Sequence, residues 1–391
     1  MSATSDDVRE VDPRIRDGFR EALWAFLGAR VLLFVISLVG GGAIFPLPPG
    51  QPPTDSGFPA PNVLPGWHML ITATERQDAL WYLRLATTGY RPDDQSAAFY
   101  PLYPLAVRAL ARLPGIGPLG AALIVANLAC LGALLMLHAL TRFELGPRAA
   151  RRTVLFAALF PTAFFLLAPY GESLFLLLSV SAFWFARRDR WALAALAGAG
   201  AALTRSVGVV LIVALAFEAF RQWRAGKPLL PRLVAAAAIG LGPLLYLGYW
   251  QLRFSDFWAP LTAQRSWQRE AFSPVAALGR AVVLAGRYQT WWTLDLVVVA
   301  IALVAIWIAA WRVPLTYTVY AVLSVLLPMS FTFANRPLIS VPRYFLVVFP
   351  ISWGLAIAAE RRRPPEAAIL AGSAAGFALL AYLFVNWLPA F

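Results

Sequence analysis

The feature that most constrains this chain is a succession of apolar runs, most of them near bilayer-spanning length, joined by short arginine-rich loops. Such runs belong in lipid, so the sequence predicts an all-α fold, a polytopic transmembrane helical bundle crossing the bilayer about eleven times. Composition bears on the same point. Of 391 residues, 60% are hydrophobic and 14% charged, against roughly a quarter charged in soluble domains.

The runs fall near residues 22–46, 118–140, 152–168, 172–187, 230–253, 291–311, 314–331, 343–359 and 366–389. A longer tract, 190–221, is interrupted by Thr204-Arg205-Ser206 and reads as two short helices. Residues 1–21 read as a cytoplasmic N-terminal segment. They carry both charge signs and lack a short apolar core with a cleavage site, so no signal peptide is expected. Residues 22–391 read as one membrane domain.

The net charge of +13 sits mostly in short loops. Arg142, Arg148, Arg151 and Arg152 lie in one, Arg187, Arg188 and Arg190 in a second. Arg221, Arg224, Lys227 and Arg232 lie in a third, and Arg361 to Arg363 in a fourth. All four share one side if the N-terminus is cytoplasmic and the tract 190–221 counts as two spans. The C-terminus is then extracytoplasmic, as are the longer segments 47–117 and 254–290. The first of these is charge-balanced, with five arginines and five acids. The charge pattern therefore reports topology, and no nucleic-acid-binding face is expected. The single cysteine, Cys130, excludes an internal disulfide, and two histidines make a His-based metal site improbable.

Within the first outer segment, residues 74–88 read as an amphipathic helix. Thr74 and Gln77 stand at capping-box spacing, and Gly89 and Pro92 are stop signals. Asp78, Trp81, Tyr82 and Leu85 then share one face. A carboxylate held against aromatics has a raised pKa unless a cation answers it, which makes Asp78 a candidate general base. The alternative is that Asp78 only favours the first turn through the helix dipole.

The stretch QDALWYLRLATTGY, followed by AAFYPLYPLAVRAL, resembles the first extracytoplasmic loop of the PIG-V family of mannosyltransferases, which belong to the GT-C class of membrane glycosyltransferases. The matching residues are Asp78, Trp81, Tyr82, Ala86, Gly89, Tyr90 and the run Tyr100 to Pro104. Gln77 stands where the family often has Trp, and Tyr100 where Phe is usual. Further positions are similar: Pro161, Tyr170, Glu172, Ser173 and Phe175; Thr204, Arg205 and Gly208; Pro342, Arg343, Tyr344 and Pro350. The likeness runs from about residue 20 to 360.

The resemblance implies a GT-C-like fold and transfer of mannose from polyprenyl-phosphate-mannose to a lipid- or glycan-linked acceptor on the outer face. It implies inversion by single displacement with Asp78 as the base. No cofactor is required on this reading, no metal ligands are assigned, and a divalent cation stays open, the pair Asp93-Asp94 reading as ordinary loop. A leaving lipid phosphate needs cations, and the candidates are Arg205, Arg343 and Arg265. Arg205 interrupts an apolar tract and either lines a cavity or pairs with Glu172. Arg343 either meets the phosphate or snorkels to the interface. Arg265, near Trp267, is a phosphate ligand or an interfacial anchor. Trp81, Tyr82, Tyr103, Tyr170, Glu172, Ser173 and Tyr344 are the candidate substrate contacts. Against that, Glu172 and Ser173 also suit the start of a helix, and Tyr103 suits an aromatic belt.

High Ala and Arg content suggests a bacterial chain and hence the plasma membrane. Two other readings remain open: a lipid or solute transporter, to which a broken helix at Arg205 is suited, and a non-catalytic subunit of a glycosylation complex.

Overall fold

The structure is a computed structural model and describes residues 13–40, 66–266, 269–288, 292–333, 337–360 and 365–386. Helix α1, Pro13–Gly40, is followed after the undescribed stretch by the first of the two segments expected to be outer, which holds short elements: α2 (Met69–Thr72), α3 (Asp78–Thr87) and α4 (Leu102–Leu110). The bundle continues with α5 (Pro118–Leu145), α6 (Pro147–Ala158), α7 (Glu172–Arg187), α8 (Trp191–Thr204), α9 (Val210–Trp223), α10 (Leu230–Ala238) and α11 (Leu241–Phe254). A second outer segment holds α12 (Ala259–Ser266), strand β1 (Arg269–Ala271) and α13 (Pro274–Tyr288). Then come α14 (Trp292–Ala310), α15 (Leu315–Met329), strand β2 (Phe331–Phe333), α16 (Val341–Leu346), α17 (Pro350–Glu360) and α18 (Glu366–Val385). The strands pair antiparallel, Arg269 opposite Phe333 and Ala271 opposite Phe331. This short ribbon ties the second outer segment to the end of α15, and the fold is otherwise helical.

Six described helical stretches are long and apolar enough to cross a membrane: 16–40, 118–145, 206–223, 230–254, 293–310 and 366–385. The chain is a multi-pass membrane protein. The other expected spans are shorter or broken, each for a visible reason. The expected helix 152–168 begins at Pro147, after Gly146 turns the chain at φ 90°. It ends at Ala158 ahead of Pro161 and gives way to a single 3₁₀ turn at Ala163–Leu166. The expected helix 343–359 is split between α16 and α17, with Pro350 opening the second. The tract 190–221 divides as the sequence predicts. Arg205 is extended (φ −151°, ψ 142°), and a 3₁₀ turn at Ser206–Val209 starts the return. Gly208 permits that fold-back, because a Cβ there would stand 2.5 Å from the backbone of Ala202. Helix α1 starts earlier than expected, in polar sequence, while residues 41–65, with the first part of the expected outer segment (47–65), lie outside the described residues.

The main apolar core draws on residues from Ala22 to Val385. The bundle has two chemically distinct ends. At one, Arg187 binds Glu144 and Glu218, and Tyr317 donates to Glu144 at 2.7 Å. There too Arg232 and Lys227 hold Asp189 at 2.7 and 3.0 Å, and Arg152 meets Glu366 at 2.9 Å. Three of the loops read as basic from the sequence thus converge, and Glu21 of α1 meets His138 of α5 at 2.9 Å; Arg361 to Arg363 of the fourth lie outside the described residues. At the opposite end, Arg76 of the first outer segment donates to the Val385 carbonyl at 3.2 Å, so the end of α18 lies beside the candidate base.

Helices pack closest where they lack a side chain. A Cβ on Gly354 of α17 would approach the Ala305 carbonyl of α14 to 1.9 Å, whereas one on Gly28 of α1 meets nothing within 4 Å. Gly354→Val is expected to destabilise the fold by about 1–3 kcal/mol or more, as overpacking does, and Gly28→Val to leave it nearly unchanged. Thermal unfolding in detergent checks the contrast.

Candidate functional site

The site begins with a local irregularity. The capping box expected at Thr74 does not form. The Thr74 hydroxyl is buried with no hydrogen-bond partner among the described residues, and the helix starts only at Asp78. The cause is tertiary. The phenol of Tyr170 donates to the Arg76 carbonyl at 2.7 Å, and the Arg76 guanidinium reaches Val385, Thr72 and Glu75 carbonyls. These contacts hold residues 74–77 in a turn. Gln77 takes φ 50°, ψ −120°, a region costing a non-glycine residue about 1–3 kcal/mol. Asp78 is left at the first helical position, where the helix dipole favours a carboxylate.

A cation answers that carboxylate. Arg343 of α16 donates through Nη1 to Asp78 Oδ2 at 2.6 Å, and through Nε to Glu172 Oε1. Glu172 opens α7, and its Oε1 also accepts from Arg205 Nη1, at the break between α8 and α9. Two carboxylates and two guanidiniums therefore form one chain, Asp78–Arg343–Glu172–Arg205, with formal charges that cancel. Burial grades along it: the Glu172 side chain has no exposed surface, Arg343 keeps 7%, Arg205 12% and Asp78 30%. Asp78 is thus the open edge of an otherwise enclosed cluster.

Aromatic rings wall this chain. The Arg343 guanidinium lies over Tyr170 at 4.6 Å and over Phe165 at 4.9 Å, and Arg205 lies over Tyr344 at 5.1 Å. These contacts suit desolvated arginines. Tyr82, one turn after Asp78, packs edge-on to Tyr103 at 5.0 Å and Tyr170 at 6.1 Å. Burial, with Glu172 next, pushes the Tyr82 phenol well above its usual value, so it stays a hydrogen-bond donor across the working pH range. Its oxygen lies close to Gly171, where an added Cβ would stand 3.4 Å away.

The structure therefore brings together Asp78, Tyr82, Tyr170, Glu172, Arg205, Arg343 and Tyr344. Arg343 is buried in an ion-pair chain and does not snorkel. The Arg205–Glu172 pair anticipated from the sequence is present. Tyr103 is fully buried and donates to the Ala122 carbonyl at 2.9 Å, so it braces α4 against α5 and does not lie in an aromatic belt. Trp81 stacks on Phe99 at 5.2 Å with Arg84 4.5 Å from its ring. Ser173 is buried, its hydroxyl without a partner among the described residues, as is Glu172 Oε2. Arg265 belongs to α12, which packs on the turn at Gln95–Ala98; its side chain and Trp267 lie outside the described residues. Asp94 binds Arg84 and caps that turn through the Ser96 amide at 2.7 Å. Among the described residues, no group of three or more His, Cys, Asp or Glu side chains is gathered. Sequence reasoning missed Phe165 and Arg76. Phe165 lies between Pro161 and Tyr170, both already singled out, and Arg76 two residues before Asp78.

Residues 52–225 match the model of the family described as Mannosyltransferase (PIG-V). That stretch includes Asp78, Tyr82, Tyr170, Glu172 and Arg205, while Arg343 lies beyond it. No curated protein matches the chain. Among solved structures, ArnT from Cupriavidus metallidurans bound to undecaprenyl phosphate is 16% identical, with a TM-score of 0.47 over 93% of this chain and 75% of that one. The apo state of the same protein gives 0.49 with the same identity and coverage. The Archaeoglobus fulgidus oligosaccharyltransferase, in complex with Zn and sulfate, is 11% identical with a TM-score of 0.47, over 94% of this chain and 53% of that one.

Breaking a buried ion pair by removing one partner costs about 3–5 kcal/mol. Glu172→Ala strands Arg205 and leaves Arg343 to Asp78 alone, whereas Asp78→Ala leaves both guanidiniums paired to Glu172. The expected outcome is a marked fall in thermal midpoint for Glu172→Ala and a much smaller one for Asp78→Ala. Equal effects would contradict the graded burial.

Proposed function

We propose that this chain, a membrane glycosyltransferase of the PIG-V family by the match over residues 52–225, transfers mannose from polyprenyl-phosphate-mannose to the hydroxyl of a lipid- or glycan-linked acceptor. The reading is supported most by one observation: Asp78 and Arg343 adjoin at the less buried edge of the charged cluster. That places a carboxylate able to take a proton beside a guanidinium able to hold a phosphate.

The reaction follows from these parts. The acceptor hydroxyl attacks the anomeric carbon and gives its proton to Asp78. The bond from that carbon to the phosphate oxygen breaks, and its electron pair leaves with the lipid phosphate. Arg343 and Arg205 meet the departing charge, and guanidinium–phosphate hydrogen bonds are charge-assisted. Tyr82, held protonated, is a donor to a sugar or phosphate oxygen. The single displacement inverts the anomeric centre, and no covalent enzyme intermediate forms. Neither this chemistry nor the residues assigned to it calls for a metal.

The positive-inside rule sets the orientation. The end where the basic loops converge is cytoplasmic, with the start of α1, and the Asp78 end is extracytoplasmic, with the end of α18. In a bacterial cell this membrane is the plasma membrane. The partners are then membrane lipid, the lipid-phosphate donor and the acceptor.

With purified protein, polyprenyl-phosphate-mannose and a panel of lipid acceptors, mass spectrometry is expected to find a mannosylated product. Asp78→Asn is expected to lower its formation by about 10²–10⁴-fold, the usual loss of a general base. Transfer unchanged in that variant would sink the assignment of the base.

A further inference from the structure

The geometry of the Asp78–Arg343 contact points to a step preceding chemistry: we infer that the donor's phosphate displaces Asp78 from Arg343, and that this exchange frees the carboxylate to act as a base. The inference rests on the proposed glycosyl transfer and concerns how the site is armed.

Two observations carry it. The first is charge. The cluster holds Asp78 and Glu172 against Arg205 and Arg343, so its formal charge is already zero before a ligand arrives. The donor's phosphate, a diester, would add one negative charge to a largely enclosed site, where unpaired charge is costly. One carboxylate must give way. Glu172 is fully buried and held by both guanidiniums, whereas Asp78 is 30% exposed and held in this cluster by Arg343. Asp78 is therefore the partner that yields.

The second is space. In a single displacement, the attacking and leaving oxygens stand on opposite sides of the anomeric carbon. Inverting glycosidases illustrate the scale, with roughly 6.5–9.5 Å between their two catalytic carboxyls. Asp78 and Arg343 are closed to 2.6 Å. No sugar ring fits between base and phosphate ligand until that contact opens.

The exchange imposes an order. The donor enters first, its phosphate takes Arg343, and Asp78 becomes available to the acceptor hydroxyl. Departure of the lipid phosphate lets the pair close again, which keeps the carboxylate quenched in the absence of donor.

The test uses the full-length protein in detergent with undecaprenyl phosphate as probe. If Asp78 competes with the phosphate for Arg343, removing its charge strengthens binding. Asp78→Asn is expected to bind the probe about tenfold more tightly than the unaltered protein, a difference of about 1.4 kcal/mol. Equal or weaker binding overturns the exchange. A second measurement needs no variant to fold well. Infrared difference spectra of the unaltered protein are expected to show an aspartate carboxylate band moving when the probe is added, and the absence of any such shift also overturns it. Failure of the exchange and failure of the enzymatic reading are separable. Loss of mannose transfer in Asp78→Asn bears on the base, whereas probe affinity bears on competition for Arg343.

Discussion

A carboxylate with no exposed surface, inside a bundle whose solvent is lipid, cannot remain charged alone. Glu172 is that carboxylate, and the arrangement of its end of the bundle depends on how it is neutralised. It takes two guanidiniums on one oxygen, one from the break between α8 and α9 and one from α16. Each arginine has to be brought to the start of α7 from elsewhere in the chain. The extended conformation at Arg205 and the short α16 ahead of Pro350 meet that need. The interruptions that weaken α8–α9 and α16–α17 as spans are thus the features that assemble the charged chain. A discontinuous helix also suits a transporter, but here the ion pair accounts for the break.

The bundle separates two kinds of buried polarity. At the basic end, Glu144, Glu218 and Asp189 are shared among Arg187, Arg221, Arg232 and Lys227, which locks neighbouring loops to one another. Those pairs join elements that already pack side by side. At the other end, the charged chain joins α3, α7, α16 and the α8–α9 break, and its last member is partly open. Chemistry is assigned to the second because there a carboxylate and a guanidinium adjoin beneath aromatic rings.

Much of this was legible in the sequence, for local reasons. The succession of apolar runs gave the helical bundle, and the polar triple at Thr204–Ser206, with the loop charges, located the break at Arg205. Asp78 stood out because a lone acid shared a helical face with aromatics. What could not be read was the pairing of Asp78 with Arg343, which are 265 residues apart and joined only by the fold. The capping box at Thr74 failed for a related reason: its spacing is a local signal, and contacts from Tyr170 and Val385 override it. Tyr103 carried the composition of a belt aromatic, yet its phenol is spent on a buried carbonyl of α5. Helix lengths were misjudged where a proline falls inside an apolar run, as at Pro161 and Pro350.

The central claim is that one guanidinium serves both the base and the lipid phosphate, at the end of the bundle away from the basic loops. A structure determined in lipid nanodiscs with undecaprenyl phosphate bound tests it most directly. The account predicts the phosphate on Arg343 and Arg205, Glu172 unmoved, and Asp78 parted from Arg343. A phosphate seated elsewhere, with the Asp78–Arg343 contact still closed, would contradict it.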